Sequence, residues 1–120
     1  MTKILSRADI AEAQDITTVH EDVPEWGGEV ILAVLRGTER EEFEQVCMKK
    51  TNGPNKDVRG LKVQLLQQCM VGEDGEVLFT IEQAGEVLAE KNGAVLDRLF
   101  NAATKLNGIG KAEIEELEKN

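Results

Sequence analysis

Residues able to perform chemistry are few in this chain, and their spacing matches no catalytic or metal-binding pattern. The sequence has one histidine, His20, and two cysteines, Cys47 and Cys69. A structural zinc site needs a complete tetrahedral ligand set at characteristic intervals, which these residues do not provide. A thiol nucleophile needs an activating base, and neither cysteine lies in a signature with His20. We therefore interpret His20 as a surface residue and the cysteines as buried free thiols in a reducing compartment.

Two glycine-containing segments are unsuited to binding phosphate. Gly27-Gly28 is not part of a strand–loop–helix pattern, and segment 108–111 is shorter than a phosphate-binding loop and follows no strand. Carboxylates are plentiful, but none lies in a clearly apolar segment that would adapt it to acid–base catalysis. The sequence therefore predicts no catalytic residue, no bound metal and no cofactor.

The composition indicates a small acidic domain with an aliphatic core. The 120 residues are 41% hydrophobic but only 3% aromatic, and 23 acidic residues against 14 basic ones give a net charge of -9. This charge disfavours binding to nucleic acid or to anionic membranes. The N-terminus lacks the apolar run of a signal peptide, and no segment approaches the ~20 apolar residues of a membrane span. We predict one domain over residues 1–110 and an acidic tail, a short helix or disordered, over 111–120.

A β-hairpin is predicted near the N-terminus. The β-branched residues of segment 16–23 favour a strand, and segment 29–35 contains a continuous apolar run typical of a buried strand. Between them, segment 24–28 combines proline and two glycines around Trp26, which favours a turn. A second small hairpin is predicted where apolar residues flank Asp74-Gly75.

Helix-start signals divide the rest of the chain into helices. Ser or Thr followed three residues later by an acidic residue or Gln forms a capping box. Such pairs are Ser6 with Asp9, Thr38 with Glu41, and Thr80 with Gln83. With a cap at Asp57 and breaks at Asn92-Gly93 and Asn107-Gly108, they predict helices over about 7–13, 38–50, 57–70, 80–91 and 94–106. Gly60 would lie inside the third helix and weaken it. The predicted fold is α+β, with an N-terminal antiparallel β-hairpin packed against a mostly helical remainder of about five helices.

Several segments, in this order and spacing, resemble the tail assembly chaperones of long-tailed bacteriophages (siphoviruses) and their prophage relatives. They are segments 5–10, 23–30 and 35–40, Phe43-Glu44, segment 74–80, the residues Leu96, Arg98, Leu99 and Phe100, and segments 106–108 and 113–120. The resemblance implies a non-enzymatic protein that binds the tape measure protein, a long, largely helical and apolar polypeptide. It also implies assistance to tail tube protein assembly in the host bacterial cytoplasm, with no place in the mature virion.

Partner binding is predicted at the last two helices and the tail. Leu96 and Phe100 could line an apolar groove, with Ile114 and Leu117 from the tail and Trp26 from the hairpin turn. The alternative for Leu96 and Phe100 is packing in the core, which we expect for Leu99 and Leu106. Self-association is left open as a further expectation.

Two other classes of function remain open on the sequence. The chain could be a head–tail connector or minor structural tail protein, which mass spectrometry would find in purified virions. It could also be a small acidic regulator of a host protein, whose binding would disappear at moderate salt.

Overall fold

The protein is a small antiparallel sheet covered by helices. The structure, a computed structural model, describes residues 3–52 and 60–109, of which residues 49–52 are described by their backbone alone. In chain order the elements are α1 (Arg7–Glu12), β1 (Thr18–Val23), a 3-10 turn (Pro24–Trp26), β2 (Gly28–Ala33), α2 (Gly37–Asn52), α3 (Leu61–Cys69), β3 (Met70–Val71), α4 (Ile81–Val87), a second 3-10 turn (Leu88–Glu90) and α5 (Gly93–Leu106). The predicted α+β fold is confirmed. The tail predicted over 111–120 lies outside the described residues.

The predicted N-terminal hairpin is present. β1 and β2 pair antiparallel, with Thr18 opposite Ala33 and Val23 opposite Gly28. The turn needs Gly27 because its φ of 79° lies in the left-handed region, which side chains with a Cβ rarely adopt. Both strands are shorter than predicted at the end away from the turn.

A third strand extends the sheet beyond β2. Met70 and Val71 pair antiparallel with Leu32 and Ile31, so the strand order is β1-β2-β3. The predicted second hairpin is reduced to an isolated bridge between Val71 and Val77. Its first arm instead joins the main sheet, a long-range pairing that local sequence signals did not predict.

Two of the three predicted capping boxes are present. The Ser6 and Thr80 hydroxyls each accept from the backbone N–H three residues on, and the Asp9 and Gln83 side chains each accept from the cap's own N–H. The prediction that Thr38 begins a helix is wrong, because α2 already starts at Gly37.

The start of α2 is instead held by Glu39. Its Oε1 accepts from the Arg36 backbone N–H at 2.9 Å, three residues upstream. This bond satisfies an amide at the helix entrance, as the carboxylate of a capping box does. Thr38 therefore lies within the first turn.

The predicted position of Gly60 inside a helix is also wrong. Gly60 has φ 85° and precedes α3, which begins at Leu61. A right-handed helix cannot include this backbone conformation, whereas glycine adopts it without steric cost. The predicted cap Asp57 lies outside the described residues.

The core lies where α5 packs on α3 and on the sheet. The buried residues of α5 are adjacent pairs that recur every four residues, so they form a wide apolar stripe along one face of the helix. The buried residues of α5 are Val95, Leu96, Leu99, Phe100, Ala103 and Thr104. They join fully buried leucines from the other layers, Leu32, Leu65, Leu66 and Leu88. The aliphatic core predicted from composition is therefore present.

Asn107 fixes the C-terminal end of α5 to the other layers. Its Oδ1 accepts from the Leu35 backbone N–H at 2.7 Å, and its Nδ2 donates to the Ala103 carbonyl at 2.9 Å and to the Cys69 Sγ at 3.5 Å. Arg40 Nη1 donates to the Asn107 main-chain oxygen at 2.7 Å. One residue thus connects the segment after β2 with α2, α3 and α5.

Replacing Asn107 by alanine should lower the free energy of unfolding by about 1–3 kcal/mol, because the part-buried Leu35 N–H loses its acceptor. The Arg40 contact should survive, since it ends on a main-chain oxygen. Asn101→Ala is the matched control, because Asn101 lies exposed on the same helix and should change stability by no more than about 0.5 kcal/mol. Urea denaturation of both variants measures this difference, and equal values would contradict the role given to Asn107.

Candidate partner-binding surface

Leu96 and Phe100 lie in the core. Their exposed fractions are 8% and 5%, and they belong to the same buried cluster as Leu99. The Lys62 ammonium lies 5.9 Å from the centroid of the Phe100 ring and also pairs with Asp97. Of the two alternatives that the sequence left open, the structure therefore shows core packing for both residues. In this conformation neither presents an apolar surface to a partner.

Trp26 lies at the margin of the core. It is half-buried in the 3-10 turn between β1 and β2 and packs against the buried cluster. The other two predicted partner-binding residues, Ile114 and Leu117, lie outside the described residues. Of the three predicted residues that the structure describes, Leu96 and Phe100 are buried and Trp26 is partly exposed, and partner binding at these positions stays a prediction.

A bidentate ion pair fixes the Trp26 turn against α5. Arg98 Nη1 and Nη2 donate to the two carboxylate oxygens of Glu25, each at 2.9 Å. The hydrogen bonds from Arg98 lower the pKa of Glu25 from its ordinary 4.5 to about 2, and the same contact raises the pKa of Arg98. The pair is about half exposed, so its strength comes from the two-point geometry rather than from burial.

His20 is a surface residue, as predicted. Its side chain is 54% exposed, and Nδ1 lies 3.2 Å from Glu29 Oε1 on the adjacent strand. No group of three or more histidine, cysteine or acidic side chains within residues 3–48 and 60–109 is arranged to hold a metal ion.

The two cysteines are buried, as predicted, and neither forms a disulfide within the described residues. Burial raises the pKa of the Cys69 thiol to about 12 and also raises that of Cys47. Since the thiolate is the reactive form, both residues are poor nucleophiles at neutral pH. The arrangement indicates packing rather than chemistry.

An exposed apolar segment follows the Asp74-Gly75 turn. Val77, Leu78 and Ile81 expose 42%, 49% and 48% of their surface; we call these three residues the 77–81 surface. Phe79 between them is partly buried against the core.

A second exposed apolar segment is the N-terminal arm, defined as residues 3–10. It includes the first four residues of α1, and its apolar residues Ile4, Leu5 and Ile10 expose 94%, 58% and 62% of their surface. No side chain of α1 is buried. The arm therefore ends in a short helix whose side chains are not buried against the rest of the domain.

The fold matches that of a bacteriophage protein. No protein-family model matches the sequence, and no curated protein matches it either. The chain has the α+β fold of a phage tail assembly chaperone. One solved structure that it matches is that of the bacteriophage HK97 tail assembly chaperone, with a TM-score of 0.58, 20% sequence identity, and coverage of 87% of this chain and 95% of that chain. The resemblance inferred from the sequence is thus confirmed at the level of the fold.

The Glu25–Arg98 pair should make stability depend on pH in the acid range. The pKa of Glu25 is lower in the folded chain than its ordinary 4.5, so its contribution is present above pH 4.5 and is lost as the pH falls toward 2. The stability difference between the wild type and Glu25→Gln should therefore shrink over that interval.

Carboxyl chemical shifts measure the same effect directly. Glu25 should titrate near its lowered pKa in the wild type and near its ordinary value in Arg98→Ala. A wild-type Glu25 that titrates like an unpaired glutamate would show that the ion pair does not form in solution.

Proposed function

We propose that the protein is a phage tail assembly chaperone that binds the tape measure protein, keeps it soluble and assists assembly of tail tube subunits around it. The observation that carries this proposal is the fold match to the HK97 tail assembly chaperone over 87% of the chain. The role is non-enzymatic. It belongs in the cytoplasm of the host bacterium, and the chaperone leaves before the virion is complete.

The net charge and the closed core of the domain support this role. A client with apolar helices must be shielded from self-association, and a bound carrier with a net charge of -9 would keep the complex soluble by electrostatic repulsion. The carrier also has to hold its own core closed while it contacts an apolar client. The burial of the α5 stripe provides that closed core.

The client-binding face is proposed at the margin of α5. Trp26 is the partly exposed aromatic residue there, beside the Glu25–Arg98 pair. Ile114 and Leu117 from the segment after α5 would complete an apolar strip for a client helix. A contribution from Phe100 would require the Lys62–Asp97 pair, which lies next to its ring, to open.

None of the helices in residues 3–52 and 60–109 combines the length and the apolar character that a bilayer crossing demands.

A stable component of the virion, such as a connector or minor tail protein, is the competing function. Mass spectrometry of purified virions distinguishes the two, because a chaperone should be absent from finished particles.

Co-expression with the tape measure protein of the same genome should keep that client soluble and allow the two to be purified together. The physical reason is that the client's apolar helices would be covered as they are made. The control is co-expression with an unrelated acidic domain of similar size. A client that precipitates equally with either protein would refute the proposed function.

The double variant Ile114→Asp, Leu117→Asp should reduce recovery of the client, because it places charges where apolar contacts are proposed. Glu115→Gln with Glu118→Gln is the matched control in the same segment, since it leaves both apolar residues in place. The amount of client per chaperone after purification is the measurement. Equal recovery with both variants would exclude the tail from the client-binding face.

A further inference from the structure

The outer edge of β1 has no partner strand among residues 3–52 and 60–109. The strand order is β1-β2-β3, so β1 is an end strand of the sheet. All six of its residues pair with β2 without a bulge, and none of them is proline. Natural edge strands are often very short, bulged or interrupted by proline, because a regular open edge accepts further strands. The backbone of β1 is therefore suited to pairing with another strand.

Alternate residues of β1 direct their backbone hydrogen-bonding groups away from β2. The Val34 N–H donates to the Thr17 carbonyl oxygen at 3.1 Å, which makes Thr17 a hydrogen-bonded position of the hairpin. In an antiparallel pair such positions alternate with positions whose N–H and carbonyl groups point to the opposite side. The outward-facing positions of β1 are therefore Thr18, His20 and Asp22, which are all exposed. Each offers one donor and one acceptor at this edge.

The hairpin that carries this edge is acidic. The sequence contains no lysine or arginine between residues 8 and 35, whereas the hairpin includes Glu21, Asp22, Glu25 and Glu29. Arg98 reaches the hairpin from α5, but both of its Nη atoms donate to Glu25. The edge therefore attracts a cationic strand and repels an anionic one.

This charge decides which kind of strand fits the edge. Pairing the β1 edges of two copies would bring acidic side chains together, and like charges on adjacent strands are destabilising. The tail is disfavoured for the same reason, since residues 111–120 contain four glutamates and two lysines. A strand of another protein with lysine or arginine at alternate positions supplies both the backbone groups and the opposite charge.

We propose that the open edge of β1 binds an extended basic segment of a partner protein by β-strand addition. Main-chain hydrogen bonds to Thr18, His20 and Asp22 supply the affinity, and the acidic side chains of the hairpin select basic residues. An apolar helical client cannot bind in this way, because the backbone groups of a helix are already paired. The inference goes beyond the proposed function, and its test uses no tape measure protein. A negative result would therefore leave the proposed function intact.

A synthetic peptide tests the proposal on the full chain. In the probe, lysine alternates with valine over six residues, the length of β1. Calorimetry at low ionic strength should detect binding, since salt screens the charge attraction. The matched control is the same peptide with every backbone nitrogen methylated, which keeps the charge and removes the donors. It should bind roughly tenfold more weakly or less. Equal affinities would show attraction by charge alone and overturn the proposal, as would an unmodified peptide that does not bind.

Hydrogen exchange followed by NMR locates the contact. The amide protons of Thr18, His20 and Asp22 should exchange more slowly in the presence of the peptide, because they then donate to its carbonyl groups. Those of Val19 and Glu21 should change little, since they already donate to β2. Protection at every second residue of β1 is the pattern that an added strand produces. Protection that spares these three residues, or that is even along the hairpin, would overturn the proposal.

Two substitutions at His20 separate the backbone from the side chain. His20→Pro removes the outward N–H without removing a hydrogen bond to β2, a position at which an edge strand tolerates proline. It should lower the affinity for the peptide by roughly tenfold or more. His20→Ala keeps the N–H and should bind like the wild type. Circular dichroism shows whether both variants are folded. Equal affinities of the two folded variants would contradict strand addition, and the exchange pattern of the wild type decides if His20→Pro does not fold.

A charge reversal at the edge tests the selection of basic residues. Asp22→Lys should weaken binding of the lysine peptide, because it places a like charge beside the added strand. Glu73→Lys is the matched control, since it changes the net charge equally but follows β3, at the opposite edge of the sheet. An equal loss of affinity in both variants would show attraction to the acidic domain as a whole rather than to the β1 edge.

Discussion

The fold depends on the packing of one face of α5 against α3 and the sheet. This contact buries the paired residues of the helix, with Leu99 and Val95 almost completely removed from solvent. Burying each large aliphatic side chain contributes about 1.5–3 kcal/mol, which makes the contact the main source of stability. Hydrophobic burial is not directional, however, and the polar contacts of Asn107 set where along the sheet the helix ends.

Two sets of polar side-chain contacts orient α5, one at its C-terminal end and one in its first half. Near its C-terminus Asn107 binds the Leu35 amide after β2, and in its first half Arg98 binds Glu25 in the hairpin turn. The turn that carries Trp26 is therefore positioned by α5 rather than by the hairpin alone. The region proposed for client binding is therefore attached to α5 by a two-point ion pair, although it lies in a turn.

The protein separates apolar surface that stabilises the fold from apolar surface available to partners. The core is closed by α5, whereas the N-terminal arm and the 77–81 surface keep their apolar residues exposed. Exposed acidic residues surround the 77–81 surface in sequence. Their mutual repulsion limits aggregation between copies through this surface. This separation suits the proposed chaperone function, because a core that opened to bind a client would lose its own stability.

Local features of this fold could be predicted from the sequence, and long-range ones could not. The capping boxes at Ser6 and Thr80 depend on residues three apart, and the hairpin depends on a turn and its flanking strands, so neighbouring residues were sufficient. Helical periodicity identified the apolar stripe of α5, but it could not show whether Leu96 and Phe100 face the core or a partner. That choice, the pairing of Met70–Val71 with β2, and the contact of Asn107 with Leu35 join residues far apart in the chain. The sequence by itself determined the elements and their amphipathic character, whereas the tertiary structure decided which faces are buried, since burial depends on what packs opposite each face.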